Sequence, residues 1–214
     1  MPGDLVIFDF DGTLADTWRD IATALNRTLA EAGLPTAAGA DVRLWVGRGV
    51  RRLIGQAIGS DDPDRVESLH PRFRAHYADC CLDTTALYDG VPEALAALAT
   101  RHTLAILSNK PQAFLDRIAE GLGIHGLFAA VVGGDALAVS KPDPATIAHV
   151  VERVGGAPGR VWMVGDSAVD VETGRAYGAR TIGCAWGLRG PDELRAAGAE
   201  VLIEHPSALP AVIA

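Results

Sequence analysis

The sequence predicts an α/β fold: a doubly wound parallel sheet with a separate α-helical domain inserted into it. Short apolar runs recur along the chain, helical patterns separate most of them, and a long helical block follows the first run. The runs are continuously apolar rather than alternating, which indicates strands buried on both faces. Repeated strand–helix–strand units with right-handed crossovers place such strands side by side in one parallel sheet.

Each predicted strand is a short run rich in β-branched residues. The runs are Leu5–Phe8, Thr103–Leu107, Ala130–Val132, Val161–Val164, Thr181–Ala185 and Val201–Ile203. The helices predicted between them have proline near the start or glycine near the end in several cases. They are Val91–Thr100, Pro111–Leu122, Pro144–Val154, Ala168–Tyr177 and Pro191–Ala197.

Residues 16–87 break this rhythm because they contain no convincing strand. Their patterns predict helices over Ile21–Ala32, Val42–Ile58 and Pro63–Ala78. A helical block between the first two strands is best explained as an inserted domain. We therefore predict a core of residues 1–15 and 88–214 and a helical cap of residues 16–87.

Composition restricts the class of partner. The chain has 214 residues, 49% of them apolar, and a net charge of −8, which argues against binding to nucleic acid or an anionic membrane. Three cysteines are too few for a disulfide framework, no basic segment precedes the first apolar run, and no apolar stretch is long enough to cross a bilayer. We expect a cytoplasmic protein, a monomer or a homodimer, that acts on a small anionic molecule.

Two acidic residues follow the first predicted strand directly, in the segment Asp9-Phe10-Asp11-Gly12. In extended chain Asp9 and Asp11 share a face, and their mutual repulsion favours a bound cation or a proton on one of them. Gly12 permits the turn. The alternative for this segment alone is a solvated turn in which an aspartate caps the next helix.

Basic and hydroxyl groups follow later strands in the same way. Ser108 and Asn109, at the start of a helix, form a cradle for phosphate oxygens, or else an ordinary helix cap. Lys110 and Lys141 are the only lysines beside 17 arginines, which suggests a specific use for each. We expect Lys141 to supply a fixed positive charge to a bound anion. The alternative is an ordinary surface lysine.

The segment after the predicted strand Val161–Val164 contributes a second acidic pair. Asp166 lies at the strand end, and Asp170 lies one helical turn later, so both side chains can face one point. Parallel strands bring their carboxyl ends to one edge of the sheet, where ligands bind in open α/β folds. Carboxylates of Asp9 and Asp166, with a backbone carbonyl, suit Mg²⁺, which takes oxygen ligands.

These four motifs, in this order, resemble those of the haloacid dehalogenase superfamily of phosphohydrolases. The wordings Asp-Phe-Asp-Gly-Thr-Leu, Ser-Asn-Lys-Pro, Lys-Pro-x-Pro and Gly-Asp-Ser-x-x-Asp, with a helical cap after the first, are most similar to the phosphoglycolate phosphatase branch. The resemblance covers essentially the whole chain and implies a Rossmann-like core. It also implies a Mg²⁺-dependent phosphatase that acts through an aspartyl-phosphate intermediate.

The resemblance implies a role for each motif residue. Asp9 would be the nucleophile, and Asp11 would exchange protons with the leaving oxygen and the hydrolytic water. Ser108 would hold a phosphoryl oxygen, and Lys141 would stabilise charge through both steps. The implied metal ligands are Asp9, the Asp11 carbonyl and Asp166, with Asp170 as a ligand or as a partner of one.

Substrate contacts are implied for other residues of these motifs, namely Gly12, Thr13, Asn109 and Lys110. We also hypothesise that Arg48 of the cap pairs with a substrate carboxylate, as 2-phosphoglycolate requires. For Arg48 the alternative is a solvated helix face.

The motifs also allow other functions, within the superfamily and outside it. Asp11 favours phosphoryl chemistry over the dehalogenase branch, and a cap without lysine nearly excludes the phosphonate-hydrolysing branch. A β-phosphoglucomutase-like mutase, or a phosphatase for pyrophosphate, a nucleoside monophosphate or a sugar phosphate, stays open. A receiver-like phosphorylation switch is the non-enzyme alternative; its paired acids are typically adjacent, and it lacks a helical insertion.

Overall fold

The computed structural model describes residues 3–156 and 159–214; Met1, Pro2, Ala157 and Pro158 of the predicted core lie outside the described residues. Its strands are β1 Leu5–Phe8, β2 Ala15–Asp16, β3 Ala86–Leu87, β4 Thr103–Leu107, β5 Ala130–Val132, β6 Val161–Gly165, β7 Arg180–Cys184 and β8 Val201–Ile203. Its helices are α1 Trp18–Glu31, α2 Gly39–Trp45, α3 Val50–Ile58, α4 Pro63–Cys80, α5 Val91–Ala99, α6 Gln112–Gly121, α7 Ala145–Arg153, α8 Ala168–Tyr177, α9 Pro191–Ala197 and α10 Leu209–Val212. Two short 3-10 helices cover His125–Leu127 and Pro206–Ala208.

Six of the strands form one parallel sheet in the order β5-β4-β1-β6-β7-β8. Alternate residues of β1 face opposite sides: Val6 and Phe8 belong to one apolar core, Leu5 and Ile7 to another. A strand buried on both faces explains the continuous apolar run in the sequence. The prediction of a doubly wound α/β fold is confirmed.

Helices cover both faces of this sheet. Buried side chains of α5 and α6 join the core that contains Phe8, while those of α7 join the core that contains Ile7. Strand β1 lies between β4 and β6, so the segments that follow these three strands emerge at one edge. Among the described residues, no helix is both long enough and apolar enough to span a bilayer.

Helices α1–α4 form the helical insertion, which lies between the short antiparallel strands β2 and β3. The sequence predicts one helix over Val42–Ile58, but α2 ends at Trp45 and α3 begins at Val50. The break comes from Gly47 and Gly49, whose φ angles of +103° and +86° are unfavourable for other residues. The limits of the cap, residues 16–87, stay a prediction.

Candidate active site

The turn after β1 brings two aspartates to the sheet edge. Asp9 and Asp11 are both buried. Gly12 has a φ of +87°, and a Cβ there would lie 2.3 Å from a carboxylate oxygen of Asp166. Glycine is therefore required at this position because the backbone must pass directly beside the second acidic segment.

Lys141 connects the predicted nucleophile to the second acidic segment. Its Nζ lies 2.9 Å from Asp9 Oδ1 and 2.6 Å from Asp170 Oδ1, and all three side chains are buried. In surroundings that exclude water, an ammonium group shared by two carboxylates interacts strongly with both. Lys141 is thus fixed at the position where sequence reasoning expects a stabilising positive charge.

Asp170 has both of its carboxylate oxygens engaged. Oδ1 accepts from Lys141, while Oδ2 accepts from the backbone N–H of Ser167 at 3.1 Å and from its hydroxyl at 2.7 Å. These bonds form a capping box at the start of α8. Asp170 therefore positions Lys141 and the start of the helix.

Asp166 lies at the end of β6, and its buried carboxylate accepts fewer hydrogen bonds than that of Asp170. Its Oδ2 accepts from the backbone N–H of Leu188 at 2.7 Å, and within residues 3–156 and 159–214 its Oδ1 accepts only from the Thr13 hydroxyl, at 3.5 Å. Burial and the charges of Asp170 and Asp9 raise the pKa of Asp166 well above its usual range. Burial and the Asp170 charge likewise raise the pKa of Asp9 to about 7, although Lys141 opposes the shift.

The acidic cluster fits a divalent cation. Ligand oxygens of Asp9, Asp166 and Asp170 lie within 4.8 Å of one another. With Asp11, four buried carboxylates lie around two buried ammonium groups in the described part of the chain, so that two carboxylates would lack a counter-charge if all four were ionised. Mg²⁺ prefers one or two carboxylates and several waters. Since Asp170 is engaged elsewhere, the donor set suits direct ligation by Asp9 and Asp166.

The segment after β4 contributes Ser108 and Asn109. Ser108 is buried, and its Oγ accepts from the backbone N–H of Lys110 at 3.4 Å. The Asn109 amide donates to the carbonyls of Lys141 at 3.2 Å and Gly47 at 3.1 Å, and it accepts from the Lys141 N–H at 3.0 Å. The Asn109 side chain therefore joins the Lys141 loop to the helical insertion rather than pointing an unused donor at a substrate.

Lys110 is paired with the second aspartate of the β1 turn. Its Nζ lies 2.8 Å and 3.1 Å from the two carboxylate oxygens of Asp11 and 4.9 Å from the centre of the Tyr77 ring. Thr17 donates a further hydrogen bond of 2.6 Å to Asp11. Desolvation lowers the pKa of Lys110, but the Asp11 charge outweighs it, so the net shift is upward and the lysine is charged.

Arg48, the predicted carboxylate partner, is exposed and lies in the loop between α2 and α3. It lines a groove with Arg52, Ser140 and Lys141. It does not line the cavity that contacts Asp11. Its assignment to the substrate stays a prediction.

Tyr77 and Arg189 are residues near the site that sequence reasoning missed. Tyr77, on α4, is buried beside Lys110. Arg189, in the loop after β7, donates to the carbonyls of Leu44 and, at 2.6 Å, Val46, and so joins the core to the insertion. No local pattern marks either residue, because both contacts join segments far apart in sequence.

Comparison with known proteins gives the family. The model of the haloacid dehalogenase-like hydrolase family matches residues 6–184. A phosphoglycolate phosphatase of Colwellia psychrerythraea is 34% identical over 203 residues, 91% of this chain and 90% of that protein. An N-acetylmuramic acid 6-phosphate phosphatase of Pseudomonas aeruginosa is 35% identical over 207 residues, 95% of this chain and 92% of that protein.

Solved structures agree with this result. The crystal structure of a predicted phosphoglycolate phosphatase from Haemophilus somnus superimposes with a TM-score of 0.90 at 26% identity, covering 99% of this chain and 98% of that one. The resemblance drawn from the four motifs is confirmed: the family match runs from β1 to β7 and includes the insertion, and the structural match covers 99% of the chain. The chain belongs to the haloacid dehalogenase-like hydrolase family.

Proposed function

We propose that the protein is a Mg²⁺-dependent phosphatase that hydrolyses a small phosphate monoester, 2-phosphoglycolate, through an aspartyl-phosphate on Asp9. The observation that carries this proposal is the buried contact of 2.9 Å between Lys141 Nζ and Asp9, beside the carboxylates of Asp166 and Asp170. The names of the phosphoglycolate phosphatase relatives support the substrate. The phosphatase class is supported by every relative described above.

Asp9 and Asp166 would hold Mg²⁺, with the Asp11 carbonyl as a further ligand. When bound, the ion would supply positive charge that lets an anionic carboxylate approach an anionic phosphoryl group. Asp170 keeps Lys141 beside Asp9 through the 2.6 Å contact. Phosphoryl transfer demands mainly positioning and charge neutralisation, and this arrangement supplies both.

Two displacements complete the reaction. In the first, a carboxylate oxygen of Asp9 attacks phosphorus, the bond to the ester oxygen breaks, and Asp11 gives the leaving alcohol a proton. In the second, Asp11 takes a proton from water, whose oxygen attacks phosphorus and releases inorganic phosphate from Asp9. Ser108 holds a phosphoryl oxygen, and Lys141 stabilises the charge in both steps.

The test is a kinetic screen with Mg²⁺ that covers 2-phosphoglycolate, pyrophosphate, nucleoside monophosphates, hexose phosphates and 4-nitrophenyl phosphate. Wild type should release phosphate steadily, and a phosphorylated form should be visible by intact mass after rapid quenching. Asp9→Asn should show neither. A long-lived phosphorylated protein without turnover would instead indicate the switch, and transfer of phosphate between sugar positions would indicate a mutase.

A further inference from the structure

A small cavity leads from Asp11 into the helical insertion. Most of its wall is apolar and aromatic, including Trp45, Val50, Leu53, Phe73 and Phe114. The volume open to the centres of water-sized groups is about 40 Å³, and one water needs about 10–15 Å³, so roughly three such groups fit. A cavity of this size suits a leaving group of a few heavy atoms rather than a sugar.

The proposed chemistry places the leaving group in this cavity. Asp11 must reach the leaving oxygen in order to protonate it, so the alcohol has to lie on the side of the phosphoryl group that Asp11 faces. Among the described residues, Asp11 lines this cavity, whereas Arg48 lines the groove on the Lys141 side. The residues that bind the leaving group should therefore be those that line this cavity.

Two polar groups of the wall have unused capacity. Lys110 Nζ carries three hydrogens; it donates to the two Asp11 oxygens, which leaves one hydrogen on an ammonium group that also lies 4.9 Å from the centre of the Tyr77 ring. The Tyr77 hydroxyl is buried and has no hydrogen-bond partner among residues 3–156 and 159–214. A buried hydroxyl without a partner is costly and uncommon, so it indicates a partner that arrives with the substrate.

Asn109 does not compete for this role, because its amide is engaged with Gly47 and Lys141. Asp11, the proposed acid, and the Trp45 indole also line the cavity. The other polar side chains of the wall are an ammonium group and a hydroxyl, set among apolar side chains that weaken solvent screening. Such a pair matches a carboxylate, which accepts hydrogen bonds and carries the opposite charge.

We infer that Lys110 and Tyr77 bind the carboxylate of the leaving group and thereby select a two-carbon phosphorylated acid. The inference rests on the proposed function and deepens it. Tyr77 is a specificity residue that donates its hydroxyl hydrogen to one carboxylate oxygen. Lys110 supplies the neutralising charge through the hydrogen that Asp11 leaves free.

The experiment compares kcat/KM for 2-phosphoglycolate with kcat/KM for ethyl phosphate, which lacks only the carboxylate group. Wild type should prefer 2-phosphoglycolate. In Tyr77→Phe the ratio of the two values should fall by about tenfold to a hundredfold, the effect of one hydrogen bond to a charged group, with most of the change in KM. Tyr177→Phe removes a hydroxyl from the distant end of α8 and should keep the wild-type ratio.

An equal loss on both substrates in Tyr77→Phe would overturn the inference and make Tyr77 a packing residue. If Tyr77→Phe fails to fold, a second measurement tests the inference. It compares how strongly glycolate inhibits ethyl phosphate hydrolysis by wild type and by Lys110→Met. The inhibition should weaken at least tenfold in the variant, and equal inhibition would overturn the inference. Hydrolysis of 4-nitrophenyl phosphate separates the two proposals: turnover without preference for 2-phosphoglycolate refutes the inference alone, and no turnover of any ester refutes the phosphatase.

Discussion

Replacing Lys141 by methionine tests whether the site depends on the charge balance described above. The change removes an ammonium group that lies 2.9 Å from Asp9 and 2.6 Å from Asp170, while the unbranched side chain keeps a similar volume. Both carboxylates would then be buried without their shared counter-charge. Breaking a buried ion pair in this way costs about 3–5 kcal/mol of the free energy of unfolding.

The magnitude is large enough to measure by thermal unfolding. For a chain of this size, 1 kcal/mol shifts Tm by about 2–4 °C, so Lys141→Met should melt about 6–20 °C below wild type in EDTA. Saturating Mg²⁺ should recover part of the difference, because the ion would bring positive charge to Asp9, one of the two carboxylates that lose Lys141. We also expect kcat to fall about a hundredfold to a thousandfold.

Two further variants show whether a change in Tm comes from the balance of buried charges. Lys141→Met combined with Asp170→Asn removes one charge of each sign and should be more stable in EDTA than Lys141→Met alone. Arg101→Met removes an exposed positive charge and should leave Tm close to that of wild type. Equal melting temperatures for Lys141→Met and Arg101→Met in EDTA would refute the reasoning.

Three other outcomes are expected. Asp9→Asn should lower kcat by about a thousandfold or more and raise Tm in EDTA, since it removes one of the buried carboxylates that outnumber the buried ammonium groups. Substantial residual turnover would contradict the nucleophile assignment. The Asp9 pKa is raised from 3.8 to about 7 in the folded state, so the metal-free protein holds a proton that the unfolded chain has lost. The free energy of unfolding in EDTA should therefore rise as the pH falls from about 8 to about 6, and Mg²⁺ should flatten this dependence, as urea titrations at each pH would show. Finally, KM for 2-phosphoglycolate should change less in Arg48→Ala than in Tyr77→Phe, and the reverse order would support the sequence-based role of Arg48.

The sheet and the set of motif residues at its edge were predictable from local sequence. Each strand is a continuous apolar run, and strands β1, β4 and β6 are followed directly by polar residues. Parallel pairing then brings Asp9, Ser108 and Asp166 to one edge, whatever the details of the loops. The chemistry of the site depends on residue types at strand ends, and these can be read from the chain.

The partner of each side chain was not predictable in the same way. Asn109 lies 62 residues from Gly47, to which it donates, and Lys110 lies 99 residues from Asp11. Nothing in the local pattern distinguishes Tyr77 from the other apolar positions of α4. Such contacts depend on how the insertion packs over the sheet edge, and that packing results from many side chains at once.

The use of lysine in this chain follows from the geometry of the site. Of the 17 arginines, all within the described residues, Arg189 is half-buried and the others are exposed, whereas both lysines are buried. An ammonium group is a compact charge that can sit between oxygens of two different carboxylates, as Lys141 does at 2.9 Å and 2.6 Å. A guanidinium group is planar and suits two oxygens of a single carboxylate, so it would separate Asp9 from Asp170. Lysine is retained at the two positions where a small, dehydrated positive charge must fit beside reacting groups, and arginine supplies positive charge where space is not limiting.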